Sequence, residues 1–113
     1  MTFGKWGEGV AASYFIKKGY KVLEKNYSCC FGELDLITQN KNLICFVEVK
    51  TRRNLKFGEP YESITKKKQK HIYKTIQYYL MKNKLDNYEF RIDVIEILVL
   101  HRTVYLRHTI NAF

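Results

Sequence analysis

The stretch Phe31 to Thr51, FGELDLITQNKNLICFVEVKT, constrains this chain most strongly. It reads as two strands joined by a tight turn, yet it carries charge where strands usually bury apolar side chains. Glu33 and Asp35 alternate with Leu34 and Leu36, and Glu48 and Lys50 alternate with Val47 and Val49. Alternate residues of a strand share a face, so each charged pair stands about 6–7 Å apart along its strand. The turn lies within Gln39 to Asn42, and its position fixes the register. A two-residue turn at Asn40 and Lys41 sets Glu33 opposite Glu48; a turn at Lys41 and Asn42 sets Asp35 there instead. Either register collects the carboxylates and Lys50 on one face, whereas a three-residue turn without a bulge separates them.

A chain of 113 residues is expected to form one domain spanning residues 1–113, with a core that needs no metal or disulfide staple. The formal charge of +9 predicts attraction to polyanions, nucleic acid ahead of a membrane surface. A soluble basic protein with no such partner is the plainer alternative. Cys29, Cys30 and Cys45 lack the paired spacing of a zinc site and read as reduced, partly buried core residues. No signal peptide or long apolar run is evident, so a cytoplasmic location is expected.

Residues 2–18 read as a helix with Phe3, Trp6, Val10, Ala11 and Tyr14 on one broad face, stopped by Gly19. Glu8 flanks that face; such a carboxylate is usually just solvated. Tyr20 to Ser28 reads as an outer strand. After the hairpin, Thr51 to Pro60 is a polar loop with Arg52, Arg53 and Lys56, and Tyr61 to Lys82 is a second helix. Ile64, Ile72, Ile76 and Leu80 form one i, i+4 row of that helix, and Lys68 fills the vacant place; Lys66, Lys67, Lys70 and Lys74 fall on the solvent side. Lys68 either snorkels to water or points at an anion near the sheet. A turn at residues 83–87 leads to strands at Glu89 to Leu100 and Thr103 to Ile110, joined at His101 and Arg102. Arg91 and Asp93 share a face and read as a structural ion pair. The order αβββαββ indicates an α/β fold with a mixed sheet flanked by two helices.

Two carboxylates converging from adjacent strands suit a hard divalent cation such as Mg²⁺. Asp35 and Glu48 are the direct ligands in this reading, with a main-chain carbonyl beside Glu48 available to complete the site. Lys50 is placed to orient a water or to neutralise charge developing on a phosphoryl group. An exposed lattice of ion pairs is the competing account, but both strands are otherwise strongly apolar and lie mid-chain. His71, His101 and His108 lack ligand spacing, and no Gly-rich phosphate loop precedes a helix.

Asp35 and Glu48-Val49-Lys50 resemble the Asp…Glu-x-Lys signature of the restriction-endonuclease-like nuclease superfamily. Further landmarks cover nearly the whole chain: GEGVAASYF at 7–15, KKGYKVLEKN at 17–26, GELDLI at 32–37, FVEVKTR at 46–52, FGEP at 57–60, Lys68-Gln69, RIDV at 91–94 and the terminal NAF. Together they resemble the YraN-like family of small bacterial proteins. The resemblance implies a restriction-endonuclease-like fold with its site near Asp35, Glu48 and Lys50. Glu8 matches the acidic residue that related Holliday-junction resolvases carry on the first helix, where it can approach the metal. Glu33 matches the first acid of the family's Gly-Glu-(Ile or Leu)-Asp run, and Lys68 and Gln69 match the polar pair of the second helix. Ile92 stands where the family usually has Phe.

The expectation is therefore an endonuclease that uses Mg²⁺ or Mn²⁺ to hydrolyse DNA phosphodiester bonds, in branched or single-stranded DNA. Arg52, Arg53, Lys56, Lys66 and Lys67 would hold the backbone. The alternative is a nucleic-acid-binding or accessory module that keeps the fold without catalysis. Resolvases commonly act as symmetric dimers, and the sequence leaves a homodimer open.

Overall fold

The computed structural model describes residues 1–53 and 64–113. Its elements are α1 (Phe3–Lys17), β1 (Lys21–Cys29), β2 (Gly32–Asn40), β3 (Leu43–Arg52), α2 (Lys66–Lys82), β4 (Glu89–Leu100) and β5 (Thr103–Thr109). This is the expected α/β order. The strands form one sheet ordered β1-β2-β3-β4-β5, with β3 and β4 parallel and the other pairs antiparallel. A parallel pair needs a crossover, and α2 lies in the segment that makes it.

The two helices cover opposite faces. Against α2 lie Leu34, Ile37, Ile44, Phe46, Ile92 and Val94, with Ile72, Ile76 and Tyr79 from the helix itself. Against α1 lie Leu36, Cys45, Val47, Ile95 and Ile97, with Ala11, Ala12 and Phe15 supplied by the helix. Because β3 and β4 are covered on both faces, they read as nearly continuous apolar runs, and Glu48 stands out within one of them.

Helix α1 begins at Thr2, whose hydroxyl accepts the Lys5 N–H at 3.1 Å, and ends before Gly19, where φ is +94°. Its buried stripe differs from the aromatic face expected. Gly7, Ala11, Ala12 and Phe15 are buried, whereas Phe3, Trp6, Val10 and Tyr14 lie at the margins. Small residues win the central stripe because they let the helix axis approach the sheet. A Cβ at Gly7 would stand 2.0 Å from Thr51 Cγ2. Gly7→Ala should therefore lower stability by up to about 2 kcal/mol, since a contact this close puts the overpacking cost in the upper part of its range of about 1–3 kcal/mol, against a gain of about 1 kcal/mol in helix propensity. In urea unfolding, adding Thr51→Ala should restore most of the loss, because the offending methyl is then gone. A Gly7→Ala chain more stable than the parent would refute the close approach.

Helix α2 starts later than the expected Tyr61, because Thr65 takes an extended conformation and its hydroxyl accepts the Lys68 N–H at 3.1 Å. Residues 61–63 lie outside the described residues, as do residues 54–60 of the loop with Lys56. Ile64 precedes the helix but is still buried. Beyond the end of β4, the turn to β5 places both His101 and Arg102 at positive φ, as a type I′ hairpin turn requires. Cys45 is a core residue and Cys29 is half-buried, but Cys30 is exposed at the β1–β2 turn, contrary to the expected core position; all three thiols are free. No helix among the described residues is long and apolar enough to cross a membrane.

Candidate functional site

The β2–β3 turn is Lys41–Asn42, with Asn40 paired to Leu43 and Leu36 to Val47. Of the two registers open to the sequence, this one sets Asp35 across from Glu48. The pairing is reinforced where the ladder ends: the Val49 N–H donates to Asp35 Oδ2 at 2.7 Å.

The strand does not keep simple alternation here. Leu34 packs on the α2 side and Leu36 on the α1 side, so the faces switch at Asp35. Across β1 the same register brings Asn26, which has φ +53°, opposite Asp35. Asp35 feels the charges of Glu8 from α1 and of Lys68 from α2 as well as that of Lys50. The charge of Glu33 is felt at Glu48, where it adds to the rise of that carboxyl. Glu33 is exposed and borders a hollow of about 280 Å³ together with Lys68 and His71.

Glu48 is 5% exposed, on the most central strand of the sheet. Burial pushes its carboxyl up to about 7, repulsion from Asp35 adds to the rise, and Lys68 and Lys50 oppose it. Asp35 is also raised, chiefly by burial, against the lowering effect of the Val49 N–H. Lys50 is lowered by burial first and then by neighbouring Lys68. Lys68 Nζ stands 4.0 Å from Glu48 Oε2, so the vacant place in the helical row does point at an anion. Gln69, its expected partner, instead donates from Nε2 to the Ile64 carbonyl at 3.2 Å and serves the start of the helix.

Glu8 approaches from α1 with its Oε1 buried and, among the described residues, without a hydrogen-bond partner; Lys5 Nζ lies 3.6 Å away. Two half-compensated carboxylates and a third whose buried oxygen has an ion pair but no hydrogen bond form an acceptor-rich site with few donors. Such a donor set fits a hard cation. The fit is partial: among the described residues no three His, Cys, Asp or Glu side chains are close enough to hold one ion together. Asp35 and Glu48 are brought together, and Glu8 stands beside them.

The basic residues expected to grip a backbone are spread around this end. Lys66 and Lys67 are exposed on the first turn of α2, and Arg52 ends β3. The Arg53 guanidinium lies 4.1 Å from the Phe3 ring centre, a cation–π contact that ties it to α1. Lys56 lies outside the described residues.

A second polar cluster escaped sequence reasoning except for its Arg91–Asp93 pair. Asp93 is fully buried on the α1 side and accepts from Arg91 Nε and Nη2, both at 2.8 Å, from the Asn111 N–H at 3.0 Å and from His108 Nε2 at 2.7 Å. His108 Nδ1 in turn lies 2.9 Å from the Tyr14 hydroxyl. Glu96, also buried, is paired with Arg107 across the β4–β5 hairpin. That pair was legible, because a turn centred on His101 and Arg102 sets residues 96 and 107 opposite one another.

The model of the Uncharacterised protein family UPF0102 matches residues 7–97. A UPF0102 protein of Clostridioides difficile strain 630 is 47% identical over 110 residues, covering 97% of this chain and 95% of its own. One from Caldanaerobacter subterraneus subsp. tengcongensis is 45% identical over 115 residues, covering 99% and 94%. One from Clostridium botulinum strain Loch Maree is 48% identical over 97 residues, covering 85% and 79%. The match takes in Glu8, Asp35, Glu48, Lys50 and Lys68 alike, and the chain belongs to the UPF0102 family, the YraN-like family that its motifs resemble.

Proposed function

We propose that this chain is a divalent-metal-dependent endonuclease acting on DNA, with its site at the end of β2 and β3. The observation that carries the reading is the juxtaposition of Asp35 and Glu48, both held above ordinary carboxylate values chiefly by burial, with Glu8 adding to the rise of Asp35 and Asp35 to that of Glu48, beside a buried oxygen of Glu8 that has an ion pair to Lys5 but no hydrogen bond. Asp35 and Glu48 would hold a Mg²⁺ or Mn²⁺ ion, with Glu8 near it. When bound, the ion supplies Lewis-acid polarisation of a phosphoryl oxygen and a more acidic water. Lys50, half-buried beside Glu48, offsets the negative charge that grows on a phosphate under attack, and its partial burial strengthens that interaction. Lys68 holds Glu48 in place and screens it from an approaching backbone. Lys66, Lys67 and Arg52 supply sequence-independent contacts to phosphates.

Cation binding to the folded chain alone should raise its thermal midpoint. Saturation at about 100 times Kd corresponds to about 2.7 kcal/mol, or roughly 10 °C for a domain of this size. Titration with Mn²⁺ and Mg²⁺, followed by circular dichroism, checks this. The second reading is a nucleic-acid-binding module without catalysis. The Lys68–Glu48 approach favours it, since that lysine can serve as a permanent internal counter-ion. It predicts no thermal shift at millimolar metal but retained, salt-dependent DNA binding.

A further inference from the structure

The β1–β2 turn carries Phe31, a large aromatic side chain that is 39% exposed at the edge of the candidate site. The turn is firmly seated. The Phe31 carbonyl is bonded to His71 Nδ1 at 3.1 Å, and the Phe31 N–H reaches Cys29 Sγ at 3.5 Å. Gly32 has φ +152°, and a Cβ there would stand 3.1 Å from Thr75 Oγ1, so only glycine lets the turn lie this close to α2. The ring is thus fixed on α2 while remaining accessible.

Phe31 also separates two hollows. One, of about 280 Å³, is bordered by Glu33, Lys68 and His71. The other, of about 390 Å³, is bordered by Lys74, Gln77, Tyr78 and Met81. The Tyr78 ring lies 5.9 Å from that of Phe31, and Lys82 Nζ is 5.6 Å from the Tyr78 ring centre. An exposed Phe31 ring, with the half-buried Tyr78 ring edge-on beside it and lysines around both, combines an aromatic surface with an anion track on a chain of charge +9. A lipid or peptide partner would use the apolar area but not this alternation of rings and cations. The first hollow shares Lys68 with Glu48, so a strand lying along α2 would lead into the carboxylate site.

We infer that Phe31, with Tyr78 beside it, is a stacking platform for an unpaired nucleobase, and that the ligand of this face is single-stranded nucleic acid. The inference rests on the nuclease reading only in placing this platform beside a cleavage site; the binding itself requires neither metal nor catalysis. Bases paired within a duplex cannot present a free face to Phe31, so the ring separates single strands from duplex where lysines alone do not.

The test is fluorescence anisotropy in EDTA with labelled oligothymidylate, oligouridylate, an abasic strand of equal length and a blunt duplex. Phe31→Ala should weaken binding of oligothymidylate, oligouridylate or both by about tenfold, within the range for loss of one base–aromatic contact. Affinity for the abasic strand and the duplex should stay within about twofold, and Phe31→Trp should restore the single-strand affinity. Comparison of the two oligonucleotides identifies DNA or RNA as the preferred strand. Equal losses on all four ligands, or none on either base-bearing strand, would overturn the platform, as would a loss that Phe31→Trp leaves unrepaired. Because no metal is present, a stacking platform found on a chain that never cleaves would refute only the nuclease reading. Cleavage that depends on Glu48, without base-dependent binding at Phe31, would refute only the platform.

Discussion

Glu48→Gln is expected to reduce metal-dependent nicking of DNA by about a thousandfold or more, and to leave the metal-free chain at least as stable as the parent. The two halves have one physical origin. Glu48 is almost wholly buried, Asp35 repels it, and Lys68 Nζ compensates it only from 4.0 Å. A neutral amide of the same shape removes a poorly compensated charge, so thermal stability in EDTA at pH 8 should hold or rise by about 1 kcal/mol. The same change removes the anionic ligand, and with it the rise in thermal midpoint on adding Mn²⁺. A thousandfold loss corresponds to about 4 kcal/mol of transition-state stabilisation, within the several kcal/mol a Lewis acid supplies. Lys50→Met separates the roles: it should lower nicking by about a hundredfold while preserving the metal-induced shift, because Lys50 offsets charge on the phosphate rather than holding the ion. Nicking that survives Glu48→Gln would point to a contaminating nuclease and end the assignment.

The parts of this site that the sequence disclosed are those fixed by short-range rules. A two-residue turn limits the hairpin to two registers, but Asn40, Lys41 and Asn42 all suit a turn, so residue type alone does not choose between them. Lys68 was readable because a cation interrupting an apolar i, i+4 row must either escape to water or meet an anion. What was not readable depends on partners distant in sequence. The switch of faces between Leu34 and Leu36 breaks the regular alternation on which a strand reading relies, and nothing local in the sequence marks it. The buried stripe of α1 was misplaced because periodicity arguments favour large apolar residues, whereas close packing on Thr51 selects Gly7. Gln69 illustrates a related limit: adjacency to Lys68 in sequence does not give it the same direction, because successive residues on a helix point about 100° apart.

The buried carboxylate of Asp93 governs the largest stability effect expected. Donor hydrogens from the Arg91 guanidinium, the Asn111 backbone, His108 and the Cys45 thiol converge on its two oxygens. Burial alone would raise this carboxyl, but the hydrogen bonds from His108, Arg91 and the Asn111 N–H outweigh it and hold the group well below the usual carboxylate range. Asp93→Asn preserves volume but replaces one acceptor oxygen with a donor amide, which then faces other donors, and it leaves Arg91 without its counter-charge. The cost should be about 3–5 kcal/mol, or roughly 10–25 °C in the thermal midpoint. The pH dependence follows from the sign of the shift. A carboxyl depressed in the folded state contributes its full stabilisation above its unfolded value of about 3.9, and loses it as pH falls from there through the lower folded value. The parent should therefore lose stability steeply on acidification below about pH 4, while Asp93→Asn, already without the charge, should show a shallower acid limb, so that the two curves converge toward pH 2. Guanidinium unfolding at several pH values measures both limbs. Parallel curves, or a loss below about 1 kcal/mol at pH 7, would mean that the Asp93 network contributes little. The network joins Tyr14 on α1, His108 on β5 and the terminal Asn111 through one carboxylate on β4. Weakening it should therefore loosen the α1 side of the sheet first, the side from which Glu8 reaches toward Asp35.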